Sequence, residues 1–240
     1  MEGIEALMRH LYLFTVVGAA LGLIFAIWAW LLTLIAPSYV VATLSILMIY
    51  KICGINHADG LADFGDGVTA HTTLEKKISA MKDVYIGTGG VIFVTIMILA
   101  VFAALSSLPL EIVPFALITA EVCAKQSMIT FSTFSTSIQK GFGQIAIENA
   151  TRSDFLIGLI LTALICGTIM GTLGMIVLIT SMASAAYLII VSKRNFGGAT
   201  GDGIGAANEI GRAVALVVSA SLLSLLPIQT SWGVLAWMPW

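Results

Sequence analysis

Residues 155–191 read FLIGLILTALICGTIMGTLGMIVLITSMASAAYLIIV, with no charged side chain anywhere in the tract. One helical membrane crossing uses about 20 apolar residues, so the tract is too long for one span. Two antiparallel spans, turning near Gly171 and Gly174 and ending at Lys193 and Arg194, account for its length. Five further apolar runs lie outward from it: residues 11–36, closed by Pro37, then 38–53, about 89–108, 112–129, and 213 to about 237. Hydrophobic residues make up 59% of the 240 and charged residues 10%, against roughly 45–50% and 25% in soluble domains. The chain therefore reads as a single all-α domain over residues 1–240, a polytopic membrane bundle of about seven transmembrane helices. The first apolar run is a span rather than a cleavable signal peptide.

Seven spans with the N-terminus inside place all eleven Lys and Arg residues on or near one side. The excess of positive charge makes that side cytoplasmic. The expected location is thus the cell membrane, multi-pass, with the polar loops facing the cytoplasm. Trp28, Trp30, Trp232, Trp237 and Trp240 suit interfacial belts. Cys53, Cys123 and Cys166 lack metal-ligand or paired spacing and read as small buried hydrophobes.

Three polar constellations fall on the cytoplasmic side. Residues 56–67 read NHADGLADFGDG; if helical, Asp59, Asp63 and Asp66 fall at i, i+4 and i+7 and share one face. Like charges so arranged need a compensating cation. Oxygen-only ligands without the alternating spacing of an EF-hand favour magnesium bridging substrate phosphates. Gly60 and Gly67 are poor helix formers and point to close approach of a ligand or another backbone. Lys82 and Asp83 precede a glycine-rich turn, 86–90, whose amides could meet an anion. The third constellation, GGATGDGIGAANEIGR over 197–212, reads as a glycine-rich loop that could hold a diphosphate jointly with the first, although it is neither a Walker A motif nor a dinucleotide fingerprint. Glu121 and Lys125 sit four apart inside a span, where ionisable residues are costly and either functional or paired with each other. His10 and His71 read as incidental.

The blocks from His57 to Gly67, Met81-Lys82-Asp83 with Gly87, and Gly198-Ala199-Thr200-Gly201-Asp202 with Gly205 and Glu209 resemble the cobalamin synthase family, the adenosylcobinamide-GDP ribazoletransferases. The match in order and separation extends over nearly the whole chain. The resemblance implies that a ribose hydroxyl of alpha-ribazole or its 5'-phosphate attacks the phosphorus next to cobinamide in adenosylcobinamide-GDP, releasing GMP, with Mg2+ as cofactor. It implies metal binding at Asp59, Asp63 and Asp66, catalytic roles for His57 and Asp83, and contacts to phosphate, ribose or metal from Thr200, Gly201 and Asp202; Lys82, Lys125, Glu121, Gly198, Asn208 and Glu209 are further candidate substrate contacts. The lipid bilayer is an expected partner and nucleic acid is not; the sequence leaves a homo-oligomer open. Two departures stand out. The family pattern has a longer N-terminal segment before the first span, which leaves open a missing or a natively shortened N-terminus here. Val84-Tyr85 replaces a Ser-Arg pair, leaving Lys82 or Lys125 to supply the charge without an arginine's bidentate fork.

Two rival readings share some of these features. A CDP-alcohol phosphotransferase also arrays aspartates at membrane-helix ends, but Asp63 stands where its motif needs arginine and the closing G-x-x-x-D-x-x-x-D is absent. An ion-coupled transporter would place its carboxylates near the bilayer midplane, whereas these aspartates lie outside the spans.

Overall fold

The computed structural model describes residues 7–138 and 140–225. Among them helices joined by turns and short loops make up the regular structure, with one isolated parallel bridge, Ser137 to Ala199. Nine helices of these described residues follow in order: α1 Leu13–Thr33, α2 Ser38–Cys53, α3 Asn56–Thr69, α4 Leu74–Ala80, α5 Thr88–Ser107, α6 Val113–Thr133, α7 Phe142–Asn149, α8 Arg152–Phe196 and α9 Gly201–Leu225.

Local chemistry sets their ends. Pro37, with φ −70°, starts α2, and Pro114 sits in the first turn of α6, where its missing N–H costs nothing. Thr151 and Asp154 form a reciprocal capping box at the start of α8: the Asp154 amide donates to Thr151 Oγ1 (3.0 Å) and the Thr151 amide to Asp154 Oδ2 (3.1 Å). The helix closes at Gly197 in the left-handed region, φ 80°.

The long apolar tract folds as expected. Gly171 breaks α8 with φ 58° and ψ −134°, and a side chain at Gly174 would run into the Cys166 backbone. Residues that far apart along a straight helix stand about 12 Å from each other, so the chain reverses here into two arms. Both arms lie against α6, Gly158 of the first beside Gln126 and Ser181 of the second accepting a bond from Ser127 (3.2 Å).

Four helices, α1, α5, α8 and α9, are long and apolar enough to cross a membrane among the described residues, or five with the bent α2–α3 pair. The expected seven crossings are not established on that basis. One reason is α6, which has the length (21 residues) but carries Glu121, Lys125 and Gln126. These polar groups are tolerated because α6 is the central helix, enclosed by α1, α8 and α9, with almost every residue buried. Another is the two arms of α8, which count as one helix.

Several boundaries differ from the sequence reading. The expected last span, 213 to about 237, begins earlier: the glycine-rich segment from Gly201 is the opening of α9 rather than a loop. Its end, with Trp232, Trp237 and Trp240, lies outside the described residues. Trp30 is exposed as a belt residue should be, but Trp28 turns inward and donates Nε1–H to the Leu44 carbonyl of α2 (3.3 Å).

Gly54, at φ 72°, turns the chain out of α2, and α3 leaves at 96° to it. Helix α3 therefore lies across one end of the bundle, against the N-terminal turns of α5 and α9. Its buried face, with Gly60, Ala62 and Gly65 beside Leu61 and Phe64, allows close approach. A methyl group at Gly60 would come within 3.0 Å of the Asp202 Cα, and one at Gly65 within 2.8 Å of the Phe93 ring.

Candidate active site

Because α3 is helical, Asp59, Asp63 and Asp66 do share a face, and the contact at Gly60 brings Asp202 of α9 to the same place. Burial, then the charges of Asp202, Asp59 and Asp66, raise the Asp63 carboxyl to about 7. Carboxylates gathered without a counter-charge behave this way. Among the described residues no group of three or more His, Cys, Asp or Glu side chains forms a ready-made metal cage.

Asp66 is committed elsewhere. Its Oδ2 accepts the Gly87 amide (2.7 Å) and its Oδ1 the Gly90 amide (2.8 Å). These are unsatisfied donors at the start of α5, so Asp66 caps that helix and complements its dipole from a neighbouring element. Asp83 is exposed, accepts the Tyr85 amide (3.1 Å), and is not among the charges that act on Asp63 or Asp202. Lys82, also exposed, lies close enough for its charge to act on Asp202.

His57, in the first turn of α3, packs against α9 at Gly205, where a methyl group would lie 3.1 Å from the His57 carbonyl oxygen. Burial and then the Lys125 ammonium push its imidazole down to about 4, so it is neutral at pH 7. Its Nδ1 is buried without a hydrogen-bond partner.

Deeper in the bundle four of the expected substrate contacts meet in one buried network. Arg212 Nε donates to Glu121 Oε1 (2.5 Å) and Arg212 Nη1 to Glu209 Oε1 (2.6 Å). Lys125 donates to Asn208 Oδ1 (2.6 Å), Asn208 Nδ2 to Glu209 Oε1 (2.9 Å), and Tyr50 to Glu209 Oε2 (3.1 Å). Two carboxylates face two cations, so the charges cancel. The expected Glu121–Lys125 pair is the longest contact, at 4.0 Å; Arg212 is the main partner of Glu121. Sequence reading treated Arg212 only as an inside-positive residue and missed Tyr50. The available signal was Glu209 and Arg212 at i, i+3 on a span, which matches the i, i+4 pair on α6.

The remaining glycine-rich residues are placed by backbone pairing. The Ala199 amide donates to Thr136 O (2.8 Å) and the Ile138 amide to Ala199 O (3.0 Å). The Gly198 carbonyl accepts Ser192 Oγ (2.6 Å). Thr200 is buried and its hydroxyl accepts the Gly203 amide (3.3 Å), capping α9. Gly201 is exposed at the mouth of a cavity of about 420 Å³ that reaches His57 and Asp202.

The family model for cobalamin-5-phosphate synthase matches residues 2–220, from before α1 to near the end of α9. The chain belongs to that family. A relative from Methanococcoides burtonii is 39% identical over all of this chain and 91% of its own length. One from Methanosarcina mazei is 42% identical over 94% of this chain and 87% of its own, and one from Thermococcus onnurineus 36% over 74% and 75%. All three carry the name adenosylcobinamide-GDP ribazoletransferase. No solved structure matches the chain.

Proposed function

We propose that this membrane enzyme joins alpha-ribazole, or its 5'-phosphate, to the cobinamide phosphate of adenosylcobinamide-GDP, with release of GMP. Bonds balance simply. A ribose hydroxyl oxygen bonds to the phosphorus next to cobinamide, the bond from that phosphorus to the GMP phosphate oxygen breaks, and the hydroxyl proton leaves to a base. The observation that carries this reading is the meeting of the α3 carboxylates with Asp202 at the end of the bundle.

The donor set fits a magnesium ion. It offers only hard oxygen ligands, brought together where α3 meets α9 at Gly60. Two or three carboxylates completed by substrate phosphates and water suit Mg2+. Asp59, Asp63 and Asp202 would hold it, with Asp66 steadying the face through α5. When bound, the ion neutralises charge that develops on the diphosphate oxygens.

The chain's own residues do the rest. His57, neutral with a free Nδ1, is placed to take the proton of the attacking hydroxyl. Lys82 offers a cation to the departing phosphate. The Glu121–Lys125–Asn208–Glu209–Arg212 network sits beneath His57 and fixes α6 against α9, so its members position the site. Asp83 stands apart on the same side. The inside-positive distribution of Lys and Arg supports a cytoplasmic orientation for this end of the bundle, in the cell membrane.

The test is GMP release from adenosylcobinamide-GDP and alpha-ribazole 5'-phosphate by detergent-solubilised protein, with magnesium or with EDTA, beside Asp59→Asn. Magnesium-dependent release with a corrinoid product, abolished in the variant, is expected. A folded protein that cleaves no diphosphate overturns the reading and favours a transporter.

A further inference from the structure

Two hollows beside the second arm of α8 join into one elongated site. Ile179, Met182, Ala186 and Ile189 share a face of that arm at helical spacing. With Phe134 of α6 and Phe155 of the first arm they line an apolar groove of about 460 Å³. The Phe134 and Phe155 rings meet edge to face, 5.0 Å between centroids. The same face of the arm continues to Lys193 and Gly197, where Ile189 and Phe134 also border a small, more polar pocket of about 110 Å³. Ser135 lines that pocket, and its hydroxyl is buried without a hydrogen-bond partner. Lys193 is exposed and makes no ion pair among the described residues. Arg152, three residues before Phe155, puts a second exposed cation at the same end of the two arms.

We infer that this is a binding site for one anionic phospholipid, its phosphate at Lys193 and Ser135 and an acyl chain along the groove. It does not depend on the proposed reaction. An ammonium and a free hydroxyl both donate to phosphate oxygens, and Arg152 adds to the attraction for a net negative head. The apolar stripe then selects a ligand with a tail over free phosphate or a nucleotide. From Ile179 to Lys193 it runs about 21 Å, enough to cross one leaflet of a hydrocarbon core about 30 Å thick. A second copy of the chain suits the face poorly. About a two-fold axis along the membrane normal the face would meet itself, setting Lys193 against Lys193 and Arg152 against Arg152. Gly197 and Gly198, in the wall of the head pocket, lead directly into the start of α9, so a bound lipid would brace the segment that carries Asp202.

The test uses full-length protein in a neutral detergent, titrated with phosphatidylglycerol or with phosphatidylcholine of the same acyl chains. Bound lipid is counted by native mass spectrometry. One phosphatidylglycerol binds at least about fivefold more tightly than phosphatidylcholine, the scale of a single lysine at an anionic surface. Lys193→Gln removes that preference, whereas Arg194→Gln, a neighbouring exposed cation outside the pocket lining, leaves it intact. Ala186→Phe fills the groove from an exposed position, where folding is little at risk, and weakens binding of both lipids. Equal binding of the two lipids would overturn the inference, and so would equal losses from Lys193→Gln and Arg194→Gln, which mark unspecific surface charge. An Ala186→Phe variant that binds as the native chain does, or displacement of the lipid by inorganic phosphate alone, would reduce the site to a head-only anion pocket and overturn it as well. The assay reads no turnover, so a failed GMP-release experiment overturns the proposed function and leaves this site standing.

Discussion

Replacing Arg212 by methionine tests whether the buried network holds α6 to α9. The guanidinium makes three bonds, to Glu121 Oε1 and Oε2 (2.5 and 3.4 Å) and Glu209 Oε1 (2.6 Å). Methionine fills similar space, so little of the effect comes from a void. What remains is Glu121, fully buried, with only Lys125 at 4.0 Å, and Glu209, left to Asn208 and Tyr50. Removing one partner of a buried charge set costs about 3–5 kcal/mol. At roughly 2–4 °C per kcal/mol for a chain of this size, the midpoint of thermal unfolding should fall by roughly 6–20 °C. Cys123 and Cys166 are fully buried, so a thiol-reactive dye reports unfolding in detergent, with Cys53→Ser removing the partly exposed background thiol. Adding Glu121→Gln to Arg212→Met should recover part of the loss, since the orphaned charge is gone. A fall of less than about 1 kcal/mol, or no recovery in the double variant, would refute the network as the joint between the helices.

Asp66→Asn should lower stability by about 1–3 kcal/mol, because the amide keeps one acceptor for α5 but loses the charge at its N-terminus; Asp59→Asn should leave thermal stability unchanged and abolish GMP release. Equal effects of the two variants on both readouts would show that the aspartates share one role. For Asp63 the sign is set by a folded-state pKa of about 7, above the ordinary 3.8: the native chain holds a proton the unfolded chain has lost, so stability without metal falls as pH rises from about 4 to 7 and levels above. Magnesium should reverse this by binding the ionised form, stabilising the protein more at pH 8 than at pH 6 in thermal unfolding, and by about 2.7 kcal/mol at a hundredfold excess over Kd; a magnesium shift independent of pH would count against Asp63 as a ligand. Gly60→Val should push α3 off the Asp202 backbone and remove activity while the unfolding midpoint stays within a few degrees; full activity would show that this contact does not set the site.

Much of this architecture is legible in the sequence because a membrane solvent leaves few choices. An uncharged tract of nearly two span lengths must fold back, and the glycines at 171 and 174 are where it does. The shared face of Asp59, Asp63 and Asp66 follows from helical spacing alone. The segment from Gly201 to Gly211 misleads for a physical reason. Glycine density signals a loop by propensity, but these glycines are pressed against neighbours: Gly203 against the Phe131 ring and Gly211 against Ser127. Tertiary packing, which propensity does not see, makes them helical. The capping role of Asp66 was hidden because its partners are backbone amides at Gly87 and Gly90, which leave no side-chain signature. The central place of α6 was hidden as well, since a helix wrapped by protein on all sides can carry polar residues that, read alone, look like a weak span.

The two halves of the site come from opposite ends of the chain. His57 and the α3 aspartates are synthesised early, whereas Asp202 and Arg212 arrive on the last described helix. Until α9 enters the bilayer, α3 lacks the Asp202 backbone that Gly60 lies against, and among the described residues Glu121 is left with the Lys125 ammonium, 4.0 Å away, as its ionic partner. Completion of synthesis is therefore the event that assembles the reacting groups, and a nascent chain stalled before α9 would be both inert and charge-imbalanced within the lipid. Membrane quality control would have a direct chemical mark, an unneutralised buried carboxylate, by which to recognise such a chain.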